Sequence, residues 1–484
     1  MKSLKALFVL ALAVTISVPA FAETQNVKVS GSIDAYWFNR HNYDLKSGND
    51  IGVIPVTGTG YAGGGATADT NFRTNTADFF RSNTQIEVSA DLTDNVSTVV
   101  NLVNQRDWNA TTTSATRASG TAGNTALNNG NEFDVTLDLA YVQMKEIFYS
   151  PLTLTVGRQD IWFGRGFIVG NNNRAWDQQG STLADEYSVT TAFDAVRATL
   201  DFNPWTIDLA YSKIAEDAIN SEDDVDLYIA NVNYKFAEYN AVAEAYYVLE
   251  VDRATLSTNT TVSVGSNDTH TIGGRVQFDP ISQITLGGEL AYQFGEYAQT
   301  VTGPNRDRSS WAADLFGTYR WDYTWKPELT VEYVYFGGEE DLNTTSTSDY
   351  GAWNGLYRGK FWTAYADFRE FVYGTADSVD QPGTTNEQFI QVKGALKPLE
   401  DLLLEASFTW LWNAEDVHST QGVQTSSSRN HDIGYEIDAQ ATYDYTEDVT
   451  FGLLAGWFVP GDFYSNAGED KVATDIVSSV KVSF

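Results

Sequence analysis

Runs of about ten residues in which apolar and polar side chains alternate recur from one end of this chain to the other. Successive strand residues point to opposite faces, and about ten residues carry a tilted strand across a bilayer. Eighteen such runs lie near 27–40, 79–92, 96–107, 132–145, 152–161, 190–202, 205–214, 226–236, 241–250, 270–279, 283–295, 309–321, 328–336, 387–397, 402–412, 431–445, 449–458 and 472–484. Trp205, Ile207, Leu209 and Tyr211 share one face of their run, with Thr206, Asp208 and Ala210 on the other. Leu402, Leu404, Ala406, Phe408, Trp410 and Trp412 oppose Glu405, Ser407 and Thr409 in the same way. Ile433, Tyr435, Ile437, Ala439 and Tyr443 oppose Asp432, Glu436, Asp438 and Gln440. Past residue 22 no stretch reaches the ~18 consecutive apolar residues of a membrane helix, so any crossing is made by strands.

The connections sharpen this into a closed barrel. Short turns (Thr93-Asp94-Asn95, Asn203-Pro204, Pro398 to Asp401, Thr446 to Asp448) alternate with long Gly/Thr/Asn/Ser-rich loops near 41–78, 108–131, 162–189 and 337–386. That is the pattern of an outer-membrane barrel with periplasmic turns, long outer loops and an even strand number. Proline cannot donate to a strand ladder. Pro151, Pro204, Pro280, Pro327 and Pro398 fall at short turns, and Pro55, Pro304, Pro382 and Pro460 in the long loops. Lys2, Lys5, the apolar run to Val18 and Ala20-Phe21-Ala22 form a secretory signal with a cleavage site. The expected organisation is therefore a signal peptide over 1–22 and one barrel domain over 23–484. The last run, VATDIVSSVKVSF, ends on Phe484 and resembles the closing strand of bacterial outer-membrane barrels, whose terminal aromatic is read by the insertion machinery. The fold class is all-β, a transmembrane antiparallel barrel of about eighteen strands with both termini periplasmic.

Aromatics make up 13% of the residues and gather near strand ends, where amphipathic rings sit at a membrane interface beside lipid and lipopolysaccharide. A net charge of −34 argues against a nucleic-acid partner, and the absence of cysteine removes disulfides and thiolate metal sites. Four histidines (His41, His270, His418, His431) show no catalytic or metal spacing, and Gly58 to Gly63 matches a dinucleotide fingerprint without its strand and helix. No cofactor, metal or enzyme is expected.

A barrel this wide is expected to enclose water rather than a packed core. By parity the wall carries Arg81, Arg197, Arg275 and Arg320 among its inward bases. Its inward acids include Glu132, Asp134, Asp208, Glu244, Glu289, Asp314, Glu332 and Glu436. Acids outnumber bases, which fits a neutral or cationic solute better than a polyanion. The segment Lys360 to Phe371 reads as a short helix in the longest loop, covering or plugging the mouth.

One stretch carries further information. Leu152 to Gly157 lead into Arg158-Gln159-Asp160, then Trp162-Phe163-Gly164-Arg165-Gly166, then Arg174-Ala175-Trp176-Asp177, then Phe193-Asp194-Ala195-Val196-Arg197. This order, over about residues 132–210, resembles the alginate-export family of outer-membrane porins. The resemblance implies an eighteen-stranded barrel that passes an anionic exopolysaccharide. By parity Arg158 falls on the lipid side, at a cost of ~2–4 kcal/mol near the midplane. A bulge at Gly157, or departure of the strand from the apolar band, resolves this, and the bulge is the reading adopted. Arg158, Gln159, Arg165, Arg174, Asp177, Asp194 and Arg197 are then the expected constriction, since guanidinium forks suit carboxylates and hydroxyls. The chain is read as a passive channel for small hydrophilic solutes or saccharides. A structural or adhesive barrel with a plugged lumen is the alternative, and an outer-membrane hydrolase the third.

Overall fold

The computed structural model describes residues 26–42, 45, 76–108, 135–172, 185–216, 224–253, 267–298, 305–341, 346–367, 385–415, 431–467 and 470–484. The strands are β1 Asn26–His41, β2 Thr76–Thr93, β3 Val96–Asp107, β4 Thr136–Met144, β5 Leu152–Gln159 and β6 Phe193–Asp201. They continue as β7 Trp205–Ala215, β8 Val225–Lys235, β9 Val242–Asp252, β10 Asn267–Ile281, β11 Ile284–Ala298 and β12 Asn305–Arg320. The remainder are β13 Glu328–Phe336, β14 Glu387–Leu399, β15 Leu402–Trp412, β16 Asp432–Asp444, β17 Val449–Pro460 and β18 Ala473–Ser483. Each expected run overlaps one strand.

All eighteen pair antiparallel with their sequence neighbours, and β1 pairs with β18 from Ser32↔Ser483 to His41↔Thr474. Closure leaves no open edge, so every backbone donor and acceptor in the wall can be met within it. The gaps 42–75, 160–192 and 337–386 open at one end of the barrel and 94–95, 282–283 and 400–401 at the other. The first strand starts and the last strand finishes at the short-gap end.

The outward face carries exposed Leu209, Leu290, Leu315, Val331 and Leu453. In water such a band would be unfavourable at roughly 25 cal/mol per Å²; against lipid tails it costs nothing comparable. Aromatic pairs flank it, with Trp205–Tyr234 and Tyr292–Trp311 centroids each 4.5 Å apart and Tyr211–Tyr228 at 5.1 Å.

Several ladders slip in register, and two of these slips bear on the inward face. The β15–β16 register slips between Leu411↔Gly434 and Trp412↔Asp432, leaving Ile433 unpaired. Ile433 then packs on the interior apolar cluster, while Asp432 accepts the Trp410 indole N–H at 3.3 Å. Strict parity had these two reversed, because one extra residue flips all that precedes it. The second slip, between β3 and β4, leaves Asp138 unpaired.

The interior also departs from expectation. An apolar cluster including Phe167, Val169, Trp353, Tyr357, Trp362 and Tyr365 fills part of the lumen, packed on inward wall residues Phe336, Phe389 and Phe458. Eighteen strands leave room that the wall's own side chains cannot fill, and two inserted segments occupy it. The chain at 360–365 is not helical, and residues 368–371 of the expected helix lie outside the described residues.

Candidate functional site

The segment 346–367, between β13 and β14, is tied to wall residues from β9 to β16. Its backbone polar groups leave water and must find partners. Gln293 exchanges two bonds with the Asn354 backbone, accepting from N–H and donating to C=O, both at 2.8 Å. Glu250 accepts from the Tyr357 hydroxyl at 2.6 Å and from the Asn354 amide at 3.2 Å. Glu436 accepts the Tyr365 and Ala366 N–H groups at 2.7 and 2.8 Å, and Gln391 donates to the Trp362 carbonyl at 2.7 Å. Within the segment Arg358 pairs with Asp367 at 3.2 Å.

Residues 160–172 and 185–192, between β5 and β6, also reach inward groups of the wall. Phe163 lies under the Arg197 guanidinium at 5.2 Å, and a side chain at Gly164 would meet Arg275 Nε at 3.0 Å. Arg165 reaches across to Asp314 at 3.0 Å and Glu332 at 3.1 Å, with its guanidinium 3.7 Å from the Phe316 ring centroid. Farther along, Asn83 donates to the Tyr187 carbonyl at 2.8 Å, Gln105 accepts the Val189 N–H at 2.9 Å, and Arg40 pairs with Glu186. The two segments join each other: Gly170 N–H donates to Tyr357 C=O at 2.8 Å and Gly359 N–H to Gly166 C=O at 2.8 Å.

Where they meet, Lys360 pairs with Asp314 at 3.1 Å and with Glu332, so two cations and two carboxylates share one spot. Burial pulls the Lys360 ammonium below the ordinary lysine range, against the opposing pull of Asp314 and Glu332. Neighbouring pairs repeat the arrangement, with Arg275–Glu244 at 3.1 Å and Arg197–Asp208 at 2.8 Å. In all of these the acid lies beneath and the cation above. Side chains of Arg165, Lys360, Arg275 and Arg197 are 11 to 25% exposed, their acidic partners 0 to 6%. Glu289 is likewise buried and accepts the Tyr246 hydroxyl at 2.8 Å. The acidic count of the wall therefore does not describe the surface a solute would meet.

Of the residues read from the sequence, Arg165, Arg197, Arg275, Asp314 and Glu289 gather where the two segments meet, and Glu436 accepts from the longer segment. Arg81 is buried against Asn83 and Gln105, and Arg320 pairs with Glu328 at 2.8 Å near the short-gap end. Gln159 is buried and donates to the carbonyls of Gly157 and Ala195 at 3.1 and 3.0 Å. Arg158 needs correcting. The ladders run without a slip through Val156↔Val196, Gly157↔Ala195 and Arg158↔Asp194, so Gly157, at φ 120°, makes no bulge. Arg158 and Asp194 pair at 3.2 Å on the face of exposed Val156 and Val196, at the long-gap end of β5. Arg174, Asp177, Glu132 and Asp134 lie outside the described residues. Sequence reasoning missed Lys360, Trp362 and Glu250 as site residues. The signal was available: Tyr350, Trp353, Tyr357, Phe361, Trp362 and Tyr365 are too many rings for a solvated loop. Among the described residues no three His, Asp or Glu side chains are gathered as metal ligands.

Comparison with known proteins agrees with this architecture. A sequence model described as alginate export matches residues 60–477. No curated protein sequence matches significantly. Among solved structures, a BenF-like porin from Pseudomonas fluorescens Pf-5 is similar at a TM-score of 0.51 and 11% identity, covering 95% of this chain and 100% of that one. Pseudomonas aeruginosa OccK2 (OpdF) is similar at 0.51 and 9% identity, covering 95% and 98%. Pseudomonas aeruginosa OccD3 (OpdP) gives 0.50 and 10%, covering 95% and 92%. At these identities the likeness is one of fold.

Proposed function

The chain belongs to the alginate-export family, and from that premise we propose that its constriction selects anionic hydrophilic solutes, carboxylated saccharides foremost. The protein is a passive outer-membrane channel for small solutes. Driving force comes from the solute gradient, and selection from width, wall charge and weak multi-site binding. We place the short-gap end and both termini in the periplasm and the long-gap end outside.

The observation that carries the anionic reading is the layering of charge. Arg165, Lys360, Arg275 and Arg197 present cationic groups to the lumen, while their acidic partners lie underneath. A guanidinium with spare N–H groups can take a passing carboxylate bidentately without leaving its own acid. The acids have a second task, since Glu250 and Glu436 accept from the segment 346–367 and hold it in place.

The adhesive reading draws on the packed apolar cluster, which a sealed barrel would also need. The partly exposed cations favour a passage, because a permanently closed interior would bury or omit them. Liposomes loaded with the purified protein test this. Swelling in hexuronate should outpace swelling in an uncharged hexose of similar size. Absence of protein-dependent swelling with either sugar would refute the channel, and faster uptake of the uncharged sugar would refute anion selection.

A further inference from the structure

Trp162 stands apart from the residues around it. Ile161, Phe167, Ile168 and Val169 are almost wholly buried, whereas Trp162 is 50% exposed. It is nonetheless inside the barrel: Phe163 lies under Arg197, and a side chain at Gly164 would meet Arg275 and Glu244, all inward groups of β6, β9 and β10. An indole half open to water in a lumen interior is an unusual use of the largest apolar side chain.

The ring is also held still. A Cβ at Gly170 would stand 2.7 Å from its Cε3, one at Gly359 would stand 2.5 Å from its Cζ3, and one at Gly166 would stand 2.7 Å from its Cη2. Three glycines from both inserted segments thus let backbone approach the ring directly, and no side chain could be added at any of them without moving it. The indole N–H donates to the Gly164 carbonyl at 3.2 Å, which fixes the ring's rotation. The remaining surface is rigid and apolar, and it lies in a stretch whose next residues reach Arg197, Arg275 and, through Arg165, the four-charge cluster.

We propose that Trp162 is a stacking platform for a sugar ring in transit, a specificity-determining residue of the channel. The C–H face of a pyranose is apolar and carries slightly positive hydrogens, which the negative face of an indole attracts. A carboxylate on that sugar would lie among the guanidinium groups nearby. The proposal rests on the channel reading above and adds to it a ring-recognising contact that charge selection alone does not require.

Single-channel recording with a short uronic-acid oligomer as probe, and polyethylene glycol of matched size as reference, provides the test. Trp162→Leu should shorten oligomer residence in the pore about 3- to 10-fold, within the range of one lost aromatic contact. Trp162→Phe should restore most of it, and polyethylene glycol residence should change in neither variant. If Trp162→Leu loosens the segments and raises salt conductance, the oligomer-to-glycol ratio still reports stacking. Equal shortening for both probes, or unaltered oligomer residence in Trp162→Leu, would overturn the platform while leaving the channel intact. A wild-type protein without conductance steps would overturn both.

Discussion

Replacing Arg165 and Lys360 together with alanine should convert the proposed constriction, their cluster with Asp314 and Glu332, from neutral to doubly negative, because the two carboxylates stay behind. An ion passing ~6 Å from a unit charge in water feels ~0.7 kcal/mol, the lower limit for a water-filled pore. A Debye length of ~10 Å at 0.1 M salt reduces that to ~0.4 kcal/mol. Losing two cations therefore raises the anion barrier by ~0.8 kcal/mol and lowers the cation barrier by as much. The anion-to-cation permeability ratio should fall about tenfold, since ~1.4 kcal/mol is a factor of ten. Low-dielectric walls focus the field and enlarge the effect. The assay is the zero-current potential of the purified variant in a planar bilayer under a salt gradient, at 0.1 M and again at 1 M. High salt should shrink the difference from wild type. An unchanged potential, or a shift toward anions, would refute the claim that these two cations face the passage.

Further outcomes follow from the anchorage. Glu436→Leu strands the Tyr365 and Ala366 N–H groups, at ~1–3 kcal/mol for each buried donor left unmet, and should give a larger and noisier conductance. A364C combined with G456C should oxidise to a disulfide, because a Cβ at position 456 would lie 3.2 Å from that of Ala364, within reach of the ~3.8 Å typical of such bonds after a small shift. With no native cysteine to compete, the bond can be followed by thiol titration, and it should quieten the current noise. Deleting Phe484 removes the backbone pair it makes with Gly31 at 2.9 and 3.0 Å beside the closing seam, and should lower the yield of heat-modifiable barrel in outer-membrane fractions.

The wall was legible because its physics is local. A strand with one face to lipid and one to the lumen must alternate, so Trp205 to Tyr211 declares itself without any neighbour. Ile433 and Asp432 were misassigned because a bulge is a property of two strands, and β16 alone does not reveal that its register against β15 slips. A bulge that would turn Arg158 inward needs a register slip that neither neighbouring ladder makes, and Arg158 instead pairs with Asp194 near the end of β5.

The site was legible in part. Residue type singles out Arg165, and parity singles out Arg197 and Arg275, as candidates; neither gives their surroundings. Parity says which way Glu436 or Glu250 points and cannot say that a segment 70 to 107 residues distant will cover it. Hence an inward count by parity is acidic, while in the pairs of Arg165, Lys360, Arg275 and Arg197 the cation is the more exposed partner. The clue to the covering was compositional, in the aromatic and glycine density of 350–365, which suits close backbone packing and poorly suits water.

The central claim is that buried acids hold the inserted segments and exposed cations meet the solute. The zero-current potential of the wild-type protein in a salt gradient tests it most directly. Stepwise conductance with a potential of the sign for anion preference is the predicted result; a potential of the opposite sign would contradict the account at its base.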